Sequence, residues 1–76
     1  EKSFLIRQIA NGTYEAYQAG ATTMSATLYN MDGKVITSNN CNGNTISINT
    51  SNANKGIYLL KVSTGKFSHT QKIVIR

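Results

Sequence analysis

The chain has 76 residues and a mass of 8.3 kDa, which is enough for one small domain with one thin core. Its single cysteine excludes an internal disulfide and a zinc cluster, and its longest apolar run, residues 57–60, is far below the roughly 20 residues of a membrane helix. The net charge of +5 arises wholly in residues 39–76, which hold five cations and no acid, whereas residues 1–38 hold three of each. Such a basic half attracts anionic partners, or it keeps sheet edges soluble.

Strand-like runs separated by turn-forming residues begin near the N-terminus. The first run, residues 3–9, precedes an Asn-Gly pair, and the second run, residues 13–19, ends at a glycine. Residues 23–30 alternate apolar and polar side chains with a period of two, which is typical of a half-buried strand. Asp32-Gly33 follows and predicts a hairpin turn, because glycine adopts positive φ without a steric cost.

The second half of the chain continues the same pattern. Residues 34–38 are the predicted return strand of the hairpin, and residues 39–44 consist only of Asn, Gly and Cys, so we expect a turn there. Alternation resumes over residues 45–50, and again over residues 57–63 after a polar loop. The last predicted strand is residues 67–76.

Together these runs predict an all-β fold. Seven short strands at roughly 8–12-residue spacing are the pattern of a β-sandwich. Gly65 lies in a second predicted tight turn, between the last two strands. The one helical candidate, residues 16–24, is interrupted by Gly20. The chain begins at Glu1 with no Met and no leader, and we expect it to be a piece of a longer protein.

Residues that catalysis uses are few and scattered. His69, the only histidine, lies in a predicted strand, and Cys41, the only thiol, lies in a predicted polar loop. The three acids, Glu1, Glu15 and Asp32, form no recognisable pair, and no metal-ligand spacing occurs. We therefore predict that the protein is not an enzyme and has no cofactor or metal.

Three segments carry a pattern more specific than composition. Residues 28–35 read LYNMDGKV, residues 55–62 read KGIYLLKV, and residues 71–76 read QKIVIR. In this order and spacing they resemble the C-terminal sorting domain (type A) of type IX secretion cargo proteins of Bacteroidetes. The match covers residues 24–76. Residues 1–23 depart from the family, because they lack the Pro-Asn-Pro segment with which many members open.

The resemblance implies a fold, a role and a set of partners. The fold is a seven-stranded antiparallel Ig-like β-sandwich with Greek-key connections, formed by a single domain, residues 1–76, excised from a larger secreted protein. The role is a non-catalytic export signal that travels through the periplasm towards the cell surface or extracellular space. The partners are the type IX translocon, outer-membrane shuttle proteins and a sortase-like cysteine peptidase, which usually removes the domain before the cargo is joined to an anionic lipopolysaccharide.

In the family the last two strands carry the export information, and here these are residues 56–62 and 68–76. We expect the last strand to add its edge to a partner sheet, so that backbone hydrogen bonds give affinity and alternate side chains give specificity. The candidate recognition residues are Gly56, Tyr58, Lys61, Lys72, Ile73, Val74, Ile75 and Arg76. Tyr58, Ile73 and Ile75 are better explained as core. The expected turn residues are Asp32, Gly33 and Gly65.

Two other functions are consistent with the sequence. An Ig- or fibronectin-like carbohydrate-binding or adhesion module would use exposed aromatic platforms, for which Tyr14, Tyr17 and Tyr29 are the candidates. A basic DNA- or RNA-binding fold would show affinity that falls steeply with salt, and we expect no nucleic-acid partner. We also predict homodimers or strand exchange at high concentration, because few charges protect the strand edges before Lys55.

Overall fold

The computed structural model describes residues 4–10, 12–51, 53–65 and 67–75. Within these residues the chain forms seven antiparallel strands and no helix, which confirms the all-β prediction. The strands are β1 (Leu5–Ala10), β2 (Thr13–Tyr17), β3 (Thr23–Asn30), β4 (Val35–Asn42), β5 (Thr45–Asn49), β6 (Gly56–Ser63) and β7 (Ser68–Ile75).

The strands are arranged in two sheets. One sheet has the strand order β1-β2-β5 and the other has the order β4-β3-β6-β7. The chain crosses between the sheets after β2, β4 and β5, so that β2 pairs with β5 and β3 pairs with β6 in Greek-key fashion. This arrangement is an Ig-like β-sandwich, as predicted. It leaves β7 at one edge of the four-stranded sheet, where its partner among the described strands is β6 alone.

The core lies between the sheets. Because side chains alternate across a strand, each strand that is apolar at every second position contributes one face. The buried apolar residues come from β2, β3, β5, β6 and β7; they are Ala16, Met24, Ala26, Leu28, Ile46, Ile48, Tyr58, Leu60, Val62 and Ile73. Strands β1 and β4, each at one edge of its sheet, supply only half-buried side chains to the core, among them Ile6 and Ile36. The fully buried part of the core therefore comes from the other five strands.

Strand β4 is longer than the sequence predicts. The predicted return strand over residues 34–38 forms the first part of β4, but the prediction of a turn over residues 39–44 is wrong, because β4 extends to Asn42 and only residues 43 and 44 connect it to β5. The cause is tertiary: residues 39–42 pair with the first half of β3. Hydrogen bonds to a neighbouring strand override the low strand propensity of consecutive asparagines.

The two lateral sides of the sandwich, where edge strands of the two sheets approach each other, differ in their contacts between the sheets. On the side where β4 meets β5, the Asn39 side chain donates through Nδ2 to the carbonyl oxygen of Ser47 at 2.7 Å, and the Cys41 thiol donates to the carbonyl oxygen of Thr45 at 3.0 Å. On the other side β1 and β7 are not neighbours in either sheet. This second side, called the open side below, is where the last strand lies.

Candidate recognition surface on the last two strands

Strands β6 and β7 form an antiparallel hairpin with an uninterrupted register from Gly56↔Ile75 to Ser63↔Ser68. In the connecting turn the backbone N–H of Thr64 donates to the carbonyl oxygen of Phe67 at 2.8 Å. Gly65 lies in this turn, as predicted. Its φ is not positive, and a Cβ added there would meet no atom within 4 Å, so the backbone does not require glycine at this position.

The first group of candidate recognition residues points inward. Tyr58 and Ile73 are buried opposite each other, and Ile75 is half-buried against the core. The Tyr58 hydroxyl also donates to the carbonyl oxygen of Asn54 at 2.7 Å, which satisfies the one polar atom of that side chain. The interpretation of these three residues as core is therefore confirmed.

The second group points outward. Lys61, Lys72 and Val74 are exposed and occupy the outer face of the four-stranded sheet, the face opposite to Tyr58 and Ile73. Lys61 and Lys72 lie close together, because Lys72 pairs with Leu59, two residues before Lys61 on the same face. Arg76, the last candidate, lies outside the described residues. A partner that docks on this face meets two cations and an apolar side chain.

Gly56 begins β6 and has a backbone conformation that favours glycine. Its φ is +152°, and a Cβ at this position would lie 3.7 Å from the Tyr58 ring, which is ordinary contact. The constraint on this residue is therefore its backbone conformation and not its packing.

The β3–β4 hairpin owes its shape to Asn30, a residue that the Asp-Gly signal did not point to. Gly33 has φ of +89°, as expected, and its N–H donates to the carbonyl oxygen of Asn30 at 3.0 Å. The side-chain Oδ1 of Asn30 accepts from the backbone N–H groups of both Asp32 and Lys34 at 2.9 Å. Asp32 itself does not adopt positive φ. The Asn-x-x-Gly spacing is the signal for such an Asx-type cap.

The nucleophile and the base that a catalytic pair would need are far apart. Cys41 lies in β4 and not in the loop that the sequence predicts, and His69 lies in β7. These strands are the two edges of the four-stranded sheet, so three strand spacings, roughly 14 Å, separate them. A nucleophile and its base must be within hydrogen-bond reach of each other.

The three candidate tyrosines do not form one platform. Tyr14 is half-buried and its side chain packs against the core, Tyr17 lies on the outer face of the three-stranded sheet, and Tyr29 lies on the outer face of the four-stranded sheet. A flat sugar ring cannot stack on all three together. The described residues also contain no group of three or more metal-ligating side chains, and no helix that could cross a membrane.

The fold and the site define a small β-sandwich module whose last strand lies at a sheet edge, with cations and apolar side chains on the adjoining face. Comparison with family models then gives the particular family. The model of the secretion system C-terminal sorting domain matches residues 9–76, and the chain belongs to this family, which is the sorting domain of type IX secretion. The match starts well before residue 24, so β2 and the end of β1 belong to the family pattern too. A search of curated proteins found no match.

Proposed function

We propose that this chain is a non-catalytic address label that is read by direct docking onto the type IX machinery. Membership in the family makes it a secretion signal, which implies interaction with the secretion system and export to the cell surface or extracellular space. In the proposed sequence of events the domain carries its cargo through the periplasm, the translocon and outer-membrane shuttle proteins bind it, and a sortase-like cysteine peptidase then removes it.

The observation that supports docking is the position of β7. Within the described part of the chain this strand pairs with β6 along one side only, so its other side presents backbone N–H and C=O groups. An edge of this kind can pair with a strand of another protein. The first half of β7, residues 68–72, is also exposed on both faces. This half of the strand is therefore accessible to a partner.

The distribution of charge between the two sheets supports the same surface as the docking site. Glu15, one of the two acids in the described residues, lies on β2 and is paired with Arg7 at 3.1 Å, so this part of the three-stranded sheet is neutral. The sheet that contains β7 carries Lys61 and Lys72 on its outer face. Partners with acidic surfaces are therefore attracted to the sheet that contains the proposed signal.

The test is export of a fusion protein. Residues 1–76 are attached to the C-terminus of a periplasmic reporter in a type IX-competent cell, and the reporter is measured in the periplasm and in the medium. We expect the fusion to be exported and a fusion without residues 71–76 to stay in the periplasm. A third fusion carries Gly33→Ala, which destabilises the distant β3–β4 hairpin and leaves β7 intact.

The third fusion separates loss of the signal from loss of folding. If only the truncated fusion is retained, the last strand is the signal. If the Gly33→Ala fusion is retained to the same degree, general stability explains the effect and the docking role of β7 is wrong. Retention of the complete fusion in the periplasm would show that the chain is not a sufficient signal.

A further inference from the structure

The outer face of the four-stranded sheet is divided into two halves of different chemistry. One half is made of hydroxyl and amide side chains; its members are Ser25, Thr27, Ser38, Asn40, Ser63, Ser68 and Thr70. The other half is apolar and is called the outer apolar patch below; its members are Tyr29, Val35, Ile57, Leu59 and Val74. Both halves face away from the core.

The members of the patch are neighbours through strand pairing. Tyr29 on β3 pairs with Val35 on β4 and with Leu59 on β6, so these three form a row across three strands. Ile57 and Val74 pair with each other one step further along β6 and β7. Directly paired side chains lie about 4.5–5.5 Å apart, so the patch is contiguous from one edge of the sheet to the other.

Folding does not require apolar side chains at these positions. In the hydroxyl half, outward positions of the same four strands are occupied by Ser and Thr. These side chains face away from the core, so the strands form without apolar residues at such positions. Val35, Ile57 and Val74 remain 51%, 47% and 48% exposed. Single exposed apolar residues are ordinary, but a contiguous patch on a soluble domain marks a surface that another molecule covers.

The charges around the patch indicate which kind of molecule covers it. Lys72 pairs with Leu59, and Lys61 follows Leu59 by two residues on the same face, so two cations border the centre of the patch. The described strands of this sheet contain no acid. Binding to an anionic lipid surface relies on clusters of about four to eight basic residues, whereas the described part of this face has two. A protein partner fits better than a membrane.

We propose that the outer apolar patch docks a protein whose complementary surface is apolar at its centre and acidic at its rim. Tyr29 and Leu59, both half-buried in the middle of the row, form the rigid centre of the contact. Val35, Ile57 and Val74 exclude water around it, and Lys61 and Lys72 pair with carboxylates and steer the encounter. The inference rests on the proposed function, since the partner is a component of the secretion machinery. It extends the proposed docking surface from the edge of β7 to the outer face of the sheet.

The test compares two double variants of the exported fusion. Ile57→Glu with Val74→Glu places two acids in the patch, and Ser38→Glu with Asn40→Glu places two acids in the hydroxyl half of the same face, on β4 and outside the two strands proposed to carry the signal. Each set adds the same charge to the same face of the sheet. We expect export of the patch variant to fall at least about tenfold and export of the matched control to change less than about twofold.

A milder pair guards against misfolding. Ile57→Thr with Val74→Thr keeps β-branched side chains on both strands, so we expect the fold to be retained. A thermal denaturation midpoint within about 5 °C of that of the unmodified domain would show this. We expect this pair to reduce export as well. A folded Thr pair that is exported like the unmodified fusion would overturn the docking role of the patch while leaving the secretion function in place. Failure of the unmodified fusion would overturn both.

The chemistry of the partner is tested separately. Lys61→Gln with Lys72→Gln should lower export, whereas Lys34→Gln with Lys55→Gln, an equal loss of charge elsewhere, should not. Equal effects of the two pairs would overturn the acidic rim. Sedimentation with vesicles that contain phosphatidylglycerol tests whether the patch binds a membrane instead of a protein. If the unmodified domain binds the vesicles and the Ile57→Glu, Val74→Glu variant does not, the patch contacts lipid and the proposal of a protein partner is wrong.

Discussion

The ring of Phe4 stacks on the imidazole of His69, with ring centroids 6.0 Å apart and planes inclined by 25°. Phe4 immediately precedes β1 in the three-stranded sheet, and His69 lies on β7 in the four-stranded sheet. The stack therefore joins the first and last strands across the open side of the sandwich. It is a contact between the otherwise exposed first half of β7 and the residue that leads into the other sheet.

Loss of this stack should loosen the proposed signal strand. His69→Ala removes an aromatic contact of about 0.5–1.5 kcal/mol, so amide hydrogen exchange of residues 69–71 should become faster while exchange in β3 stays unchanged. Thr70→Ala, one residue away on the opposite face, is the control and should have little effect. Equal exchange rates in the two variants would show that the stack does not anchor β7.

The two turn glycines should respond in opposite ways to alanine. Gly33→Ala forces a Cβ into φ of +89°, which costs about 1–2 kcal/mol. Gly65→Ala meets open space at an ordinary φ, so reduced freedom of the unfolded chain should stabilise the domain by about 0.4–1 kcal/mol. Urea unfolding curves of both variants measure this difference. Similar losses in both would contradict the backbone conformations described for these turns.

Gln18 is a buried side chain whose replacement should raise stability. It is 2% exposed, and its Nε2 has no hydrogen-bond partner among the described residues. Leaving a buried donor unsatisfied costs about 1–3 kcal/mol, so Gln18→Met, which keeps the length and removes the amide, should increase the free energy of unfolding by about 1 kcal/mol. Gln8→Met, at an exposed position, should change it by less than about 0.5 kcal/mol. A destabilised Gln18→Met would mean that the amide has a partner in solution.

Self-association remains a prediction that the exposed edges support. Strand β1 is an edge strand with Leu5 and Ile9 exposed and Arg7 as its one charge. We expect dimers or strand exchange at millimolar concentration, measured by light scattering. Ile9→Lys adds a charge to that edge and should return the protein to a monomer. A monomeric mass for the unmodified chain at the same concentration would contradict the prediction.

Local patterns predicted the fold because each is decided by few neighbouring residues. Period-two alternation over residues 23–30 and 57–63 predicted strands with one apolar face, and the apolar side chains Leu28, Leu60 and Val62 of these strands are buried. The Asp-Gly pair predicted the β3–β4 hairpin correctly. The Asn-rich segment after residue 38 was wrong because its strand character comes from pairing with β3, which no local pattern contains.

The candidate site was predictable only in part. The sequence pointed to β6 and β7 through motif order, and alternation separated inward Tyr58 and Ile73 from outward Lys72. It did not reveal the outer apolar patch, because Val35, Tyr29 and Leu59 lie on three strands and become neighbours only through the register. Residues that are distant in sequence acquire a shared surface when the strands pair.

By itself, then, the amino-acid sequence determined the number of strands, the side chains that enter the core and the family, since these depend on alternation and on short motifs. Tertiary structure alone decided that β7 lies at an edge, that β4 continues to Asn42 and that Phe4 meets His69. The physical reason is that strand order and register are set by long-range hydrogen bonding and packing between segments, which a linear pattern does not encode.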